Sequence, residues 1–468
     1  MNEEAREKLI AEWNFPEAPK VSGSFPGPNT LGVFGELAQL ETPQIAFGSV
    51  LPFVPEEAKG AVFKDIDGNF VIDFCSSIAV VNVGHQHPTV IKAIADQAGK
   101  LGHVFDFGTR EKLDLIKKMR ATAPEGLKDN CFVTFTLSGT DAACAVAKQA
   151  RMITGRNQLI AFTGGYHGVF GTAMAMTTGN HYRDEYGPLM GGVIHIPYAY
   201  CYRCPFNMEY PKCDIECAKF ADSMLNEPYT GITDAAALIV EPVQGEGGYI
   251  VPPSEWLQRL KKSCERHGCL MVSDEVQSGF GRTGKLWATE HFGFAPDALT
   301  FGKGVGGDQP LTGVMMKAEH RERLAKGSQP VTFAGNVISV AASKANYEIM
   351  TDPDLDLMGR ATKLGEEMQS IFKEAQKSLE QIGDIRGLGL MQAVEFVKDP
   401  NTKEQTGRDA VYGMVADLYS KGIVVAPAGR WGNTLRFMPP LTIKRDHFFK
   451  VIEIVLDVIK AHKDSLAG

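Results

Sequence analysis

Between about residue 88 and residue 345 the chain alternates between stretches of helical period and short, almost wholly apolar runs. Leu159-Ile160-Ala161-Phe162, Ala237-Leu238-Ile239-Val240, Leu270-Met271-Val272-Ser273 and Ala298-Leu299-Thr300-Phe301 are such runs. A strand covered on one face alternates apolar and polar residues, whereas a strand covered on both faces has no polar side to show. The pattern therefore predicts an α/β fold, with a mainly parallel central sheet wrapped by helices. Outside this region the pattern changes. Residues 1–60 hold many Pro and Gly and little periodicity, and read as an extended arm packed on something larger. Gly60–Asp65 and Phe70–Phe74 flank Asp67-Gly68-Asn69 and predict a β-hairpin. After residue 345 comes a long helical stretch, then strand-like segments at Gly389–Phe396 and Gly422–Val425, then an amphipathic helix through Val451–Ile459. These breaks divide the chain into an arm with the first part of a small α+β domain (1–87), a large domain (88–345) and the rest of the small domain (346–468).

Composition narrows the class. A chain of 468 residues is long for one core, which agrees with two domains. Its net charge of -8 is spread along the chain with no basic stripe, so nucleic acid is not an expected partner. No apolar run is long enough to span a membrane, and Met1-Asn2-Glu3-Glu4 leads into no signal-like segment. Nine cysteines over such a length read as reduced thiols, and the expected location is the cytoplasm.

Candidate chemistry gathers where strands end, the usual ligand position of open α/β sheets. Asp274 follows Leu270–Ser273 and Gln277 lies one turn on; Lys303 follows Ala298–Phe301 after a single glycine. Glu241 follows Ala237–Val240, and Tyr166-His167-Gly168 comes shortly after Leu159–Phe162. Ser138-Gly139-Thr140-Asp141 separates the strand Phe132–Thr136 from a helix expected near Ala142, with Ser138 as its cap. Free N–H groups at such a helix start suit a phosphate. A lysine, a carboxylate, an aromatic ring and a phosphate cradle at one sheet edge meet the needs of pyridoxal 5′-phosphate chemistry. Two rival motifs fail on context. Gly302-Lys303-Gly304-Val305-Gly306-Gly307 has dinucleotide-type spacing, but Asp308-Gln309-Pro310 stands where the helix should start. Gly279–Lys285 imitates a phosphate loop, but Leu286 replaces the required Ser or Thr.

Together, Ser138–Ala142 (SGTDA), Tyr166–Gly168 (YHG), Glu241–Gly248 (EPVQGEGG), Ser273–Gly284 (SDEVQSGFGRTG), Gly302–Gly304 (GKG) and Thr332–Asn336 (TFAGN) resemble the class III, fold-type I aminotransferases, in their 4-aminobutyrate and ω-amino-acid branch. The resemblance runs in order from about residue 30 to residue 460. It implies a fold-type I enzyme in which Lys303 carries pyridoxal 5′-phosphate as a Schiff base and moves the proton. Asp274 would pair with the pyridine nitrogen and Gln277 with the ring's 3-oxygen, with Tyr166 and Val276 against the two ring faces. Gly139 and Thr140 would bind the phosphate, joined by Thr332 from a neighbouring subunit. A homodimer with shared sites is implied, with room for dimers to pair further.

At the substrate end, Arg436 matches the family arginine that grips an α-carboxylate. Glu246 matches the switch residue that pairs with it when the incoming amine has none, and Ile78 matches a pocket-lining position. The chain departs from the pattern at Val169, where 4-aminobutyrate enzymes usually carry an arginine for the donor's distal acid group. The implied reaction moves the amino group of a 4-aminobutyrate-like or taurine-like donor to a 2-oxo acid, 2-oxoglutarate or pyruvate. The alternative on the same scaffold is an amino-acid racemase or epimerase, which returns the proton to Cα. A non-catalytic pyridoxal-phosphate protein is disfavoured by the complete lysine–aspartate–tyrosine set. Finally, Cys201, Cys204, Cys213 and Cys217 form a C-x2-C-x8-C-x3-C cluster. Its spacing is looser than a zinc ribbon, so reduced structural thiols are expected and no metal is assigned, with zinc or an iron–sulfur cluster as the alternative.

Overall fold

The computed structural model describes residues 1–44 and 51–468. Its centre is a seven-stranded sheet. From edge to edge the strands are Cys131–Thr136, Thr312–Lys317, Ala298–Phe301, Leu270–Asp274, Ala235–Val240, Gln158–Phe162 and Val193–Ile196. Thr312–Lys317 runs against both its neighbours, and the rest of the sheet shares one direction. The apolar runs are continuous because both faces are covered. Leu159, Ala161, Ala237, Ile239 and Val272 pack with Ala143–Ile153 of the helix Gly139–Thr154. Their alternates Ile160, Phe162, Leu238, Val240 and Met271 pack with Trp256, Leu257 and Leu260 of the helix Ser254–His267. Each strand thus feeds two cores, and neither tolerates a polar residue.

Residues near both ends of the chain share a second sheet. The predicted hairpin appears as Val62–Asp65 paired with Phe70–Asp73, extended by Pro55–Lys59 on one side and by Ile423–Val424, in parallel, on the other. A third sheet joins Ile382–Leu388, Met391–Asp399, Thr434–Phe437 and Ala426–Ala428. Met391–Asp399 overlaps the expected strand at Gly389–Phe396, and the closing helix runs over Arg445–Ala461.

The arm is a correction. Instead of an extended segment it holds helices Glu3–Glu12 and Pro28–Leu40. Asn2 caps the first by accepting from the Ala5 N–H at 2.9 Å, and Pro28 starts the second with its φ already helical. Only Ile10 of the first helix is buried, so the helix leaves almost no apolar period to read.

Candidate active site

The carboxyl ends of the central strands surround a cavity of about 410 Å³, within the range of small-molecule sites. Five of the seven strands lead into short polar segments of its wall. Gly139 and Thr140 follow Cys131–Thr136, Tyr166, His167 and Gly168 follow Gln158–Phe162, and Glu241 and Glu246 follow Ala235–Val240. Asp274, Val276 and Gln277 come from the end of Leu270–Asp274, and Lys303 follows Ala298–Phe301. The parallel topology explains the meeting of residues that lie far apart in the chain: strands of one direction end on one edge.

Asp274 is the best-anchored group. Its Oδ2 lies 2.6 Å from His167 Nδ1, while Oδ1 accepts from Thr300 Oγ1 at 2.8 Å and from the Val276 N–H at 3.2 Å. Burial pushes its carboxyl up, but the hydrogen bond and charge of His167, with Thr300, outweigh burial and hold it below the usual carboxylate range. The same contact works in reverse on His167. Burial disfavours its charged form, but Asp274 raises it above the ordinary imidazole value. The two form a buried hydrogen-bonded pair, ionic whenever His167 is protonated. No role was expected for His167 or Thr300; the histidine pairs with a residue 107 positions away, a link without a local signature.

Glu241 accepts the Tyr166 N–H at 3.0 Å and the Gly245 N–H at 2.7 Å, so it ties two of the site's loops together. Burial, with Asp274 nearby, pushes its carboxyl up to about 7. Tyr166 also meets Tyr182 edge-on, ring centroids 5.0 Å apart, and Tyr182 had not been singled out. Lys303 begins a tight 3-10 turn with φ 42 and lines the cavity. Burial pulls its amine down to about 8, where a useful fraction is neutral near physiological pH.

The helix start lies three residues before the one expected. It begins at Gly139, with Ser138 Oγ accepting the Asp141 N–H at 3.1 Å. Gly168 closes the cradle: its φ is +132°, and a Cβ there would lie 2.3 Å from Thr140 Oγ1.

At the other end of the site Arg436 Nη1 meets Glu246 Oε1 at 2.5 Å. Arg436 sits on the strand Thr434–Phe437, and the loop of Glu246 is pinned to that sheet by Gly429 N–H donating to Glu246 O at 3.0 Å. Burial pushes the Glu246 carboxyl up, but Arg436 brings it below its usual value. Glu246 lines the cavity; Arg436 stands behind it, with its guanidinium 5.9 Å from the centre of the Tyr249 ring. Besides Arg436, the expected residues Ile78 and Thr332 do not line this cavity, and neither does Val169. Ile78 is half-buried against an apolar cluster, while Val169 and Thr332 are exposed.

The lining fits pyridoxal 5′-phosphate on features of this chain alone. The Gln277 amide is uncommitted: its buried Oε1 has no hydrogen-bond partner, so the group is free to turn its N–H toward a ligand. Gly139 leaves room at the helix start, where a Cβ would lie 3.1 Å from Val276 Cγ1. The buried anion of Asp274 suits a protonated ring nitrogen, and the Lys303 amine is a nucleophile at the same cavity.

Comparison with known proteins points the same way. The family described as aminotransferase class-III matches residues 46–459. A leucine/methionine racemase of Thermococcus litoralis is 39% identical over 84% of this chain and 88% of its own. A 5-aminovalerate aminotransferase of Pseudomonas putida is 36% identical over 84% of this chain and 90% of its own. Among solved structures, an aminotransferase of Bacillus anthracis superposes with a TM-score of 0.84 at 27% identity, covering 94% of this chain and 100% of that one.

Proposed function

The chain belongs to the class III aminotransferases, which are pyridoxal-phosphate enzymes acting on an amino donor and a 2-oxo acid, and within that family we propose that it uses an ω-amino donor. The donor is 4-aminobutyrate-like or taurine-like, and 2-oxoglutarate is the acceptor ahead of pyruvate. The observation that carries this reading is the Glu246–Arg436 pair at the cavity wall. An amine without an α-carboxylate leaves Arg436 paired with Glu246, so no charge is buried alone. An α-keto acid brings its own carboxylate, which takes the guanidinium fork while Glu246 turns away. One cavity thereby serves both halves of a transamination.

Bound pyridoxal phosphate supplies a protonated ring that accepts the electron pair of the donor carbon. Asp274, fixed by His167 and Thr300, keeps the proton on the ring nitrogen. Lys303 would hold the cofactor at rest; once freed, its neutral amine would take the proton from the donor carbon and give it up on the far side of the amino nitrogen. Gln277 offers its amide to the 3-oxygen, Tyr166 and Val276 pack against the ring faces, and Gly139 with Thr140 holds the phosphate. Ile78 keeps the place of the family's donor-pocket residue, two residues before Val80 of the cavity wall.

The same reading includes a homodimer in which Thr332 of the partner subunit completes the phosphate site. Thr332 is exposed and stands outside its own chain's cavity, and the apolar Leu137, Val169 and Phe170 are exposed near the cavity wall. The domain limits 1–87, 88–345 and 346–468 belong to it too, supported by the sheet shared between Phe70–Asp73 and Ile423–Val424. All nine cysteines are unpaired, which suits the reducing cytoplasm, and no helix among the described residues is long and apolar enough to cross a membrane.

A second reading, racemisation or epimerisation of an α-amino acid, is favoured by the similarity to the Thermococcus litoralis racemase. A panel of ω-amino acids, α-amino acids and taurine, each with 2-oxoglutarate or pyruvate, tests the proposal through the glutamate or alanine formed. ω-Amino donors should give glutamate. Hydrogen exchange at Cα in heavy water with inversion and no amino transfer would replace it with the racemase.

A further inference from the structure

We propose that Cys201, Cys204, Cys213 and Cys217 bind a single structural zinc ion that fastens the segment between the strand Val193–Ile196 and the helix Glu216–Asn226. The four residues come from two places. Cys201 and Cys204 flank the short 3-10 turn Cys201–Arg203, and Cys213 and Cys217 bracket the start of the helix. All four nonetheless line one small cavity of about 20 Å³, with Phe206, Met208 and Ile215 among their apolar neighbours. None of the four is in a disulfide. Glu216 also reaches this cavity, but its carboxylate pairs with Lys219 at 3.4 Å.

The backbone here has little else to hold it. Between Arg203 and Glu216 there is neither helix nor strand, only turn bonds such as Cys213 N–H to Glu209 O at 2.9 Å. Asn207, Asp214 and Ile215 all have positive φ, a conformation that costs energy unless something fixes it. Four thiols on the wall of one cavity supply a means of fixing it once a metal draws them together. As placed, no three His, Cys, Asp or Glu side chains among the described residues meet ligand geometry. Tetrahedral zinc, with Zn–S of about 2.3 Å, sets sulfurs on the order of 3.8 Å apart and would draw them inward over the space between them. The space is small, about 20 Å³, which favours a single ion over the larger iron–sulfur cluster with its bridging sulfides.

The site also has a reason to exist beside the active site. Arg203 lies inside the first cysteine pair, and its Nε meets Glu395 Oε1 at 2.5 Å. Glu395 is wholly buried and also takes Arg386 at 2.7 Å. It stands opposite Thr434 in the sheet, two residues from Arg436. Zinc at the cysteines would therefore steady the strand that presents Arg436.

The test is the metal content of the purified holoenzyme from cells supplied with both zinc and iron. About one zinc per chain is expected, and iron should be near zero. Cobalt(II) put in its place should give the intense visible bands of a tetrahedral thiolate site. Cys204→Ser and Cys213→Ser should lose most of the zinc, raise KM for the 2-oxo acid several-fold and leave the cofactor's absorption unchanged. Cys144→Ser, outside the cluster, should keep the zinc. If the variants do not fold, stepwise thiol modification of the wild-type protein replaces them, with zinc released as the four thiols react. A holoenzyme free of zinc, zinc retained in Cys204→Ser, or iron with labile sulfide would each overturn the proposal.

Discussion

The two ends of the cavity are built on different physical terms. At the Asp274 end the two carboxylates have several fixed partners: His167, Thr300 and a backbone N–H hold Asp274, and two backbone N–H groups hold Glu241. At the Arg436 end the charge is matched mainly by one carboxylate, on a loop, with part of its side chain exposed. The first arrangement suits a group that must keep one protonation state through every turnover. The second suits a group that must trade partners as substrates alternate. The difference teaches that rigidity in this site is local, and that it follows from the number of contacts each charge has.

Substitutions can break the contrast in a graded way. The largest effect should come from Lys303→Ala, which removes the amine proposed to hold the cofactor and to carry the proton. Turnover should fall by at least about 10⁴-fold, measured as glutamate formed. Asp274→Asn should cost about 10³-fold in kcat with little change in KM, because its role lies in charge and not in substrate contact. Arg436→Ala should act in the opposite way, raising KM for the 2-oxo acid by about 10²-fold. Glu246→Gln should be milder and selective. The ω-amino donor half should slow about tenfold, equivalent to ~1.4 kcal/mol, while the glutamate half is unchanged. Equal losses in both halves would remove the switch and leave an ordinary ion pair.

The pH dependence sharpens the same contrast. Only the neutral amine of Lys303 is nucleophilic, and burial lowers its pKa to about 8. Uptake of pyridoxal phosphate by the apoenzyme should thus quicken about tenfold between pH 7 and pH 9 and flatten above that. A rate that still climbs toward pH 10.5, the ordinary lysine value, would show that the cavity leaves the amine unperturbed.

Much of this was legible in the chain, for reasons that differ by region. The strands Ala235–Val240 and Leu270–Asp274 are buried at every position, so their sequences announce them. The residues at their ends belong to compact motifs, which is why most of the expected cofactor set lines one cavity. The strand Ile382–Leu388 was not legible: it is half-buried along most of its length and carries Gly383, Asp384, Arg386 and Gly387, so no alternation marks it. The first helix hid behind its polar face for a similar reason. His167 stood in view but its purpose did not, because only the folded sheet brings it to Asp274. Thr332 lies on the surface of the single chain, as its proposed role in a partner's phosphate site requires, and Val169, where the family pattern has an arginine, is exposed too.

The most direct test of transamination at Lys303 is a single-turnover absorption measurement on the holoenzyme, with an ω-amino acid and no acceptor. The account predicts that the cofactor's visible band converts to that of its aminated form, and that 2-oxoglutarate restores it. A band that shifts reversibly without reaching the aminated form, while hydrogen at Cα of an α-amino acid exchanges with solvent, would contradict it.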